Sequence, residues 1–292
     1  MSSTRRGAVH AAGLAGALLL TGCDDPAGSG VESASEKSRT AAVSAVTAAA
    51  ERTSEADSAK VTTTVKSPNG LVGDVRLSGV MGWGPLVADL EVDTGEAASS
   101  FLPASGRLVW VEDTLYLGSQ NKGATAPGGK EWMKLDLGDA LAEAGAKDLA
   151  GGLGEVNNQD PSRIMALLRS APNVRHLGQK RVDGATAEHY RGTVTPAEAA
   201  EAGGGLDSLG ESERSALLKD LRDSGVKSYT IEAWVKDDLP LRIHTTVDSP
   251  AGKISVVQKL SEYGVEVNAK APPAEETFDV APLLERFADL GA

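Results

Sequence analysis

The chain contains a single cysteine, Cys23, among its 292 residues, and this count limits how the chain can fold. One thiol cannot form an intramolecular disulfide, so no covalent cross-link compensates for a weak core. The chain is long enough to bury a large core, and 41% of its residues are hydrophobic. We therefore expect a fold that is held by apolar burial, in one large domain or two small ones.

The residues around Cys23 indicate processing of the N-terminus. Arg5 and Arg6 precede an apolar run, residues 11–20, that is too short to span a bilayer. Leu20, Thr21 and Gly22 then lead into Cys23, and these four residues resemble a bacterial lipobox. The segment predicts a signal peptide over residues 1–22 and attachment of diacylglyceryl and palmitate-type chains at Cys23. The alternative is an ordinary secretory leader with an incidental cysteine.

Composition restricts the partners of the protein. The chain carries 41 acidic against 29 basic residues, a formal net charge of −12. This balance argues against nucleic-acid binding and against electrostatic adhesion to anionic lipid headgroups. The predicted lipid anchor must then supply the attachment to the outer face of the cytoplasmic membrane. The sequence does not indicate an oligomeric state.

The segment after Cys23 has the composition of a linker. Residues 23–37 are rich in Gly, Ser and acidic side chains, which predicts a flexible tether. From Ser38 apolar residues recur at helical spacing, which predicts a helix that ends near Ala59. Residues 38–292 are expected to form one domain.

Most of this domain shows the alternation of apolar and polar residues that is typical of strands. Predicted strands cover residues 61–66, 74–83, 86–93, 107–112, 114–118, 131–136, 179–194 (with a turn at 183–184), 228–236, 239–248 and 253–263. Helices are predicted after Asp160, over residues 206–221 and near the C-terminus. This order predicts an α+β fold in which helices cover the apolar face of a large, curved antiparallel sheet.

Two hairpins are similar in sequence, at residues 110–115 and 234–239. We interpret them as the same turn chemistry used twice, the alternative being a duplicated half of the chain.

The order of these segments resembles the actinobacterial LppX/LprAFG lipoproteins, which share a fold with the carrier LolA. The resemblance spans residues 38–280. Its carrying segments are Gly79-Val80-Met81, the hairpin from Arg107 to Tyr116, the strand Gly129 to Leu135, Asp160-Pro161 with Leu167-Leu168, the strand Val182 to Tyr190, and the hairpin Glu232 to Arg242. The resemblance implies an open half-barrel around an apolar cavity that holds acyl chains of lipids or glycolipids. The Gly/Glu-rich insertion at residues 198–205 departs from the lipid carriers.

Strand alternation and the predicted helices together suggest which side chains line such a cavity. The candidates are Val75, Leu77, Val109, Val111, Leu167, Leu217, Ile231, Ala233 and Ile243. We expect the helices at residues 161–170 and 206–221 to bound the cavity. A slip of one residue in the assignment of a strand would place its side chains on the opposite face.

No pattern in the sequence predicts catalysis or a cofactor. His176, His189 and His244 are far apart in sequence, so they do not predict a metal site, and no Gly-x-Ser-x-Gly motif marks a nucleophile. We expect no enzymatic activity, no metal and no cofactor. The resemblance therefore implies a lipid-binding or lipid-transfer lipoprotein, and the alternative is a non-catalytic sensor or interaction lipoprotein with a filled core. The four tryptophans, which all fall on predicted strands, are expected in the core or at the cavity.

Overall fold

The computed structural model describes residues 29–67, 74–95, 105–119, 126–136, 160–202, 211, 215, 219 and 223–282. Its strands are β1 Ser58–Lys66, β2 Val75–Trp83, β3 Leu86–Asp93, β4 Ser105–Val111, β5 Thr114–Ser119, β6 Trp132–Asp136, β7 Arg175–Val182, β8 Ala185–Val194, β9 Ser228–Lys236, β10 Leu239–Ser249, β11 Gly252–Ser261 and β12 Thr277–Asp279. Its helices are α1 Ser29–Ala56, α2 Pro161–Ser170 and α3 Pro196–Ala202.

The twelve strands form one open sheet in the order β12-β6-β5-β4-β3-β2-β1-β11-β10-β9-β8-β7. Strands from before and after the predicted helical centre therefore belong to the same sheet. The α+β class is confirmed, but the sheet is mixed. The pairing of β12 with β6 is parallel, whereas the other neighbours pair antiparallel. Three residues are too few for an alternation pattern, so the sequence did not predict β12.

Helix α1 corrects the predicted boundary between tether and domain. The helix begins at Ser29 rather than Ser38, within the predicted flexible segment, and it ends at Ala56 rather than near Ala59. The strand β1 then begins at Ser58. The linker-like composition of residues 29–37 hid the first turns of the helix.

Three hairpins share one type of two-residue turn. Both central residues have positive φ in the turns Glu112-Asp113, Asp183-Gly184 and Asp237-Asp238, as a type I′ turn requires. The flanking residues pair directly in each hairpin. The sequence similarity between the hairpins at residues 110–115 and 234–239 is therefore explained by their shared turn type.

One face of the sheet carries the core, and we call it the inner face. Helices α1 and α2 pack on it, mainly over β7 to β10, and α3 joins them at β8. Ala42, Val46 and Ala49 form the buried stripe of α1. These small side chains let the helix lie close to its neighbours. We call the opposite face of the sheet the outer face.

Helix α2 is fixed at both ends. Asp160 caps its N-terminus by accepting hydrogen bonds from the backbone N–H groups of Ser162 and Arg163, as the sequence predicted. At the other end, a Cβ on Gly192 of β8 would lie 2.6 Å from the Cβ of Ala171 and 3.0 Å from Cδ1 of Leu168. The sheet thus needs a glycine where the C-terminal end of α2 meets β8.

Candidate functional site

The inner face of β1 to β6 is apolar in successive rows. One row of directly paired residues runs Met81, Ala88, Trp110, Leu115 and Leu135 across β2 to β6. The next row contains Leu90, Leu108, Leu117 and Met133. Leucines, an alanine, a tryptophan and methionines make up these rows, with no charged side chain. This half of the sheet is the candidate site for an apolar ligand.

The structure places five of the predicted lining residues on the inner face. Val75, Leu77, Ile231, Ala233 and Ile243 all belong to the buried cluster. Leu167 on α2 is partly buried and packs against the same cluster. These six predicted residues thus belong to one core, although they are divided between the two halves of the sheet.

The assignment of β4 was wrong by one residue. Leu108 and Trp110 belong to the inner cluster, so Val109 and Val111 lie on the outer face. Val109 is nonetheless buried there, at 2% exposure. Because Leu108, Val109, Trp110 and Val111 are all apolar, alternation does not identify the inner face of this strand.

Several predicted residues lie outside the part of the chain that the structure describes. These are Leu20, Thr21, Gly22, Cys23 and Leu217, together with most of the predicted helix at residues 206–221. The C-terminal helix was predicted to extend to Phe287, and the description ends at residue 282.

Two of the surface depressions among the described residues contain none of the predicted cavity residues in their lining. One lies along α1 at Glu36, Thr40 and Ser44. The other lies on the outer face between Arg76 and Glu91.

Trp110 contributes a polar group, its indole N–H, to the otherwise apolar rows. Its side chain is 4% exposed, and its indole N–H has no hydrogen-bond partner among the described residues. Trp83 on the same face differs, because its Nε1 donates to the carbonyl oxygen of Thr53 at the end of α1, over 3.1 Å. A buried N–H that has no partner costs free energy, about 1–3 kcal/mol, so it is uncommon in a core.

A second polar cluster lies on the outer face, around Trp234. The ring of His189, only 2% exposed, stacks on Trp234 with centroids 4.4 Å apart. Arg242 Cζ lies 5.9 Å from the centroid of the Trp234 ring, and the Arg242 guanidinium donates to Asp183 over 2.7 Å. Lys259 also donates to Asp183, over 2.8 Å. The turn of the β7–β8 hairpin is thus fastened to β10 and β11.

Burial and hydrogen bonds together determine the charge states of His189 and Asp183 in this cluster. Desolvation, with help from nearby Lys180, lowers the pKa of His189 and keeps the ring neutral. For Asp183, burial favours the neutral acid, but the hydrogen bonds from Lys259 and Arg242 outweigh it and lower the pKa. The outer cluster therefore combines a neutral histidine with a charged carboxylate.

The sheet also brings together Ser255, His244 and Glu232, an arrangement that sequence reasoning missed. His244 Nε2 lies 2.9 Å from Ser255 Oγ, and its Nδ1 lies 3.5 Å from Oε2 of Glu232. The order resembles a hydrolase triad, but the contact to Glu232 is long for a hydrogen bond. In addition, β11 is paired on both sides through Ser255, so nearby backbone N–H groups serve the ladders instead of an oxyanion hole.

The described part of the chain contains no group of three His, Cys, Asp or Glu side chains placed to hold a metal ion. Among its helices, none is both long enough and apolar enough to cross a membrane.

Comparison with known proteins gives relatives of similar length. A protein of Streptomyces griseus described as uncharacterized, of 31.2 kDa, is 28% identical over 257 residues, which cover 85% of this chain and 82% of the relative. A protein of Streptomyces coelicolor whose name includes the word lipoprotein is 25% identical over 309 aligned positions, 97% of each chain. No family model matches the chain.

Two mycobacterial proteins are among the solved structures that are similar to this chain. The crystal structure of LppX from Mycobacterium tuberculosis has a TM-score of 0.47 at 13% identity, over 79% of this chain and 99% of that one. LprF from Mycobacterium bovis has a TM-score of 0.47 at 15% identity, over 80% and 98% of the two chains.

Proposed function

We propose that this protein is a lipid-anchored, extracytoplasmic lipoprotein that binds acyl chains against the inner face of β2 to β6. The observation that supports the proposal best is the continuous apolar surface of the rows around Leu90 and Trp110, which carry no charged side chain across β2 to β6.

The chemistry of these rows fits a hydrocarbon ligand. Their side chains offer dispersion contacts, and each methylene of a ligand that is moved out of water contributes about 0.8 kcal/mol. A chain of sixteen carbons would gain on the order of 10 kcal/mol in gross terms, before the costs of association. A polar ligand would lose its hydration on this surface without compensation.

The anchor at Cys23 is the second part of the proposal. It rests on Leu20, Thr21 and Gly22 before the single cysteine, and on the lipoprotein name of the Streptomyces coelicolor relative. Replacement Cys23→Ser should leave the protein as an unprocessed precursor or release it from the membrane. Fractionation followed by mass measurement checks this, and a processed Cys23→Ser protein in the membrane fraction would contradict it.

Native mass spectrometry tests lipid binding. The chain carrying Cys23→Ser, purified from cells without detergent, should retain non-covalent lipid of one or more acyl species. A ligand-free chain that also fails to take up added dipalmitoylglycerol would favour the alternative, a sensor or interaction lipoprotein with a filled core.

A matched pair of variants tests whether the acyl chains bind on the inner face of the sheet. Leu117 is half-buried on the inner face, whereas its neighbour Tyr116 is half-buried on the outer face. Leu117→Trp should reduce lipid uptake at least several-fold, because the added volume occupies the site, while Tyr116→Trp should retain uptake. Melting temperatures of both variants establish that each chain is folded, and equal uptake by both would contradict this location.

A further inference from the structure

We infer that Trp110 is a positioning residue for the ligand, and that its indole N–H donates a hydrogen bond to an ester carbonyl oxygen at the head of the acyl chain. The inference rests on the proposed function and adds the chemical class of the ligand and its orientation.

The buried indole N–H of Trp110 lacks a hydrogen-bond acceptor in the described part of the chain. Trp110 is 4% exposed, and Nε1 finds no acceptor among the described residues. An indole has one donor and no acceptor, so it is satisfied only by an oxygen or similar group brought to it. Trp83, on the same face, already has such an acceptor in Thr53. Of these two tryptophans, Trp110 is therefore the one whose N–H lacks an acceptor that a ligand oxygen would supply.

The residues around Trp110 determine whether the acceptor of its hydrogen bond can carry a charge. The residues that pair with Trp110 are Ala88 and Leu115, and Met81 and Leu135 complete the row. No cation lies in this row to compensate a carboxylate or phosphate, and an uncompensated buried charge is costly. The acceptor is thus an uncharged oxygen. An ester carbonyl is a good acceptor of this kind and is attached directly to a hydrocarbon chain.

The position of Trp110 along the strand determines the orientation of the ligand. Only Val111 separates it from the exposed turn at Glu112 and Asp113. In the opposite direction, the inner face continues through Leu108 and its row, with Val92 on the neighbouring strand beyond. An ester held at Trp110 places the hydrocarbon along these leucines and directs the polar head toward the turn.

A double-mutant cycle between protein and ligand tests the inference. The probes are dipalmitoylglycerol and its di-O-hexadecyl ether analogue, which has the same chains but no carbonyl. The proteins are the full chain with Cys23→Ser, alone and with Trp110→Phe or Trp83→Phe. Trp110→Phe should weaken binding of the ester about three- to tenfold, as expected for one hydrogen bond, and leave the ether within about twofold. Trp83→Phe lowers stability but should leave the ratio of ester to ether affinity unchanged.

The outcomes are distinguishable. If neither probe binds to the chain that keeps both tryptophans, both the proposed function and this inference fail. If both probes bind and Trp110→Phe changes their affinities equally, the inference fails while the proposed function stands. Should Trp110→Phe not fold, NMR of the chain labelled with ¹⁵N-tryptophan decides. The indole N–H resonance of Trp110 should move downfield with the ester and not with the ether, and equal shifts with both probes would overturn the inference.

Discussion

His189 shows how a single residue on the outer face links stability to pH. Its buried ring stacks on Trp234, and burial lowers its pKa. The unfolded chain protonates this histidine near pH 6.5, while the folded chain still holds it neutral. The unfolded state therefore binds more protons as pH falls below that value, and the free energy of unfolding decreases.

The phenylalanine variant His189→Phe tests this account, because it keeps the stacked ring and removes the titration. Between pH 7.5 and pH 5.5 the original chain should lose more stability than the variant, by up to about 1.4 kcal/mol in total, because this range extends one unit below the pKa of the unfolded histidine. Urea unfolding at both pH values measures the difference. The same loss in both proteins would show that His189 does not titrate below its usual range.

At the same scale, the Ser255–His244–Glu232 arrangement should be structural. Ser255→Ala removes the hydroxyl that lies 2.9 Å from His244 Nε2. We expect the variant to be destabilised by about 1 kcal/mol, the usual effect of losing one hydrogen bond. We also expect it to hydrolyse p-nitrophenyl acetate at the rate of the original chain. A marked loss of esterase activity in the variant would assign a nucleophile to this face.

At the scale of elements, the contact between α2 and β8 depends on the absence of a side chain at residue 192. Gly192→Ala would place a Cβ 2.6 Å from that of Ala171, so the helix must shift. We expect a loss of about 1–3 kcal/mol, typical of overpacking. The double variant Gly192→Ala with Ala171→Gly removes the closest clash and should recover part of that loss. Strict additivity of the two changes in denaturant unfolding would contradict the contact.

The positive φ angles of the type I′ turns predict a difference in stability between glycine and alanine variants at the same position. Asp238 is exposed and has a φ of +58°. Glycine adopts this conformation without steric cost, whereas alanine is disfavoured by roughly 1–2 kcal/mol. Asp238→Gly should therefore be more stable than Asp238→Ala by about 1 kcal/mol in thermal unfolding. Equal stability would mean that the turn changes its conformation to suit the residue.

At the scale of the whole molecule, the sequence identified features that depend on local chemistry. Most strands from β2 to β11 follow alternation, with β4 an exception, and Asp160 follows the rules of helix capping. Features that depend on contacts between distant segments were missed. Examples are the parallel pairing of Thr277–Asp279, the burial of Val109 on the outer face, and the meeting of His189 with Trp234. The unpartnered N–H of Trp110 likewise follows from the register of five strands, which no single segment reveals.

The central claim is that acyl chains bind to the inner face of β2 to β6. Photocrosslinking with a diacylglycerol that carries a diazirine on one acyl chain tests it most directly, with the adducts located by mass spectrometry of peptides. The account predicts adducts at inner-face residues of β3 to β5, such as Leu90, Leu108 and Leu117. Adducts confined to outer-face residues, such as Tyr116, or to the exposed side of α1 would contradict it.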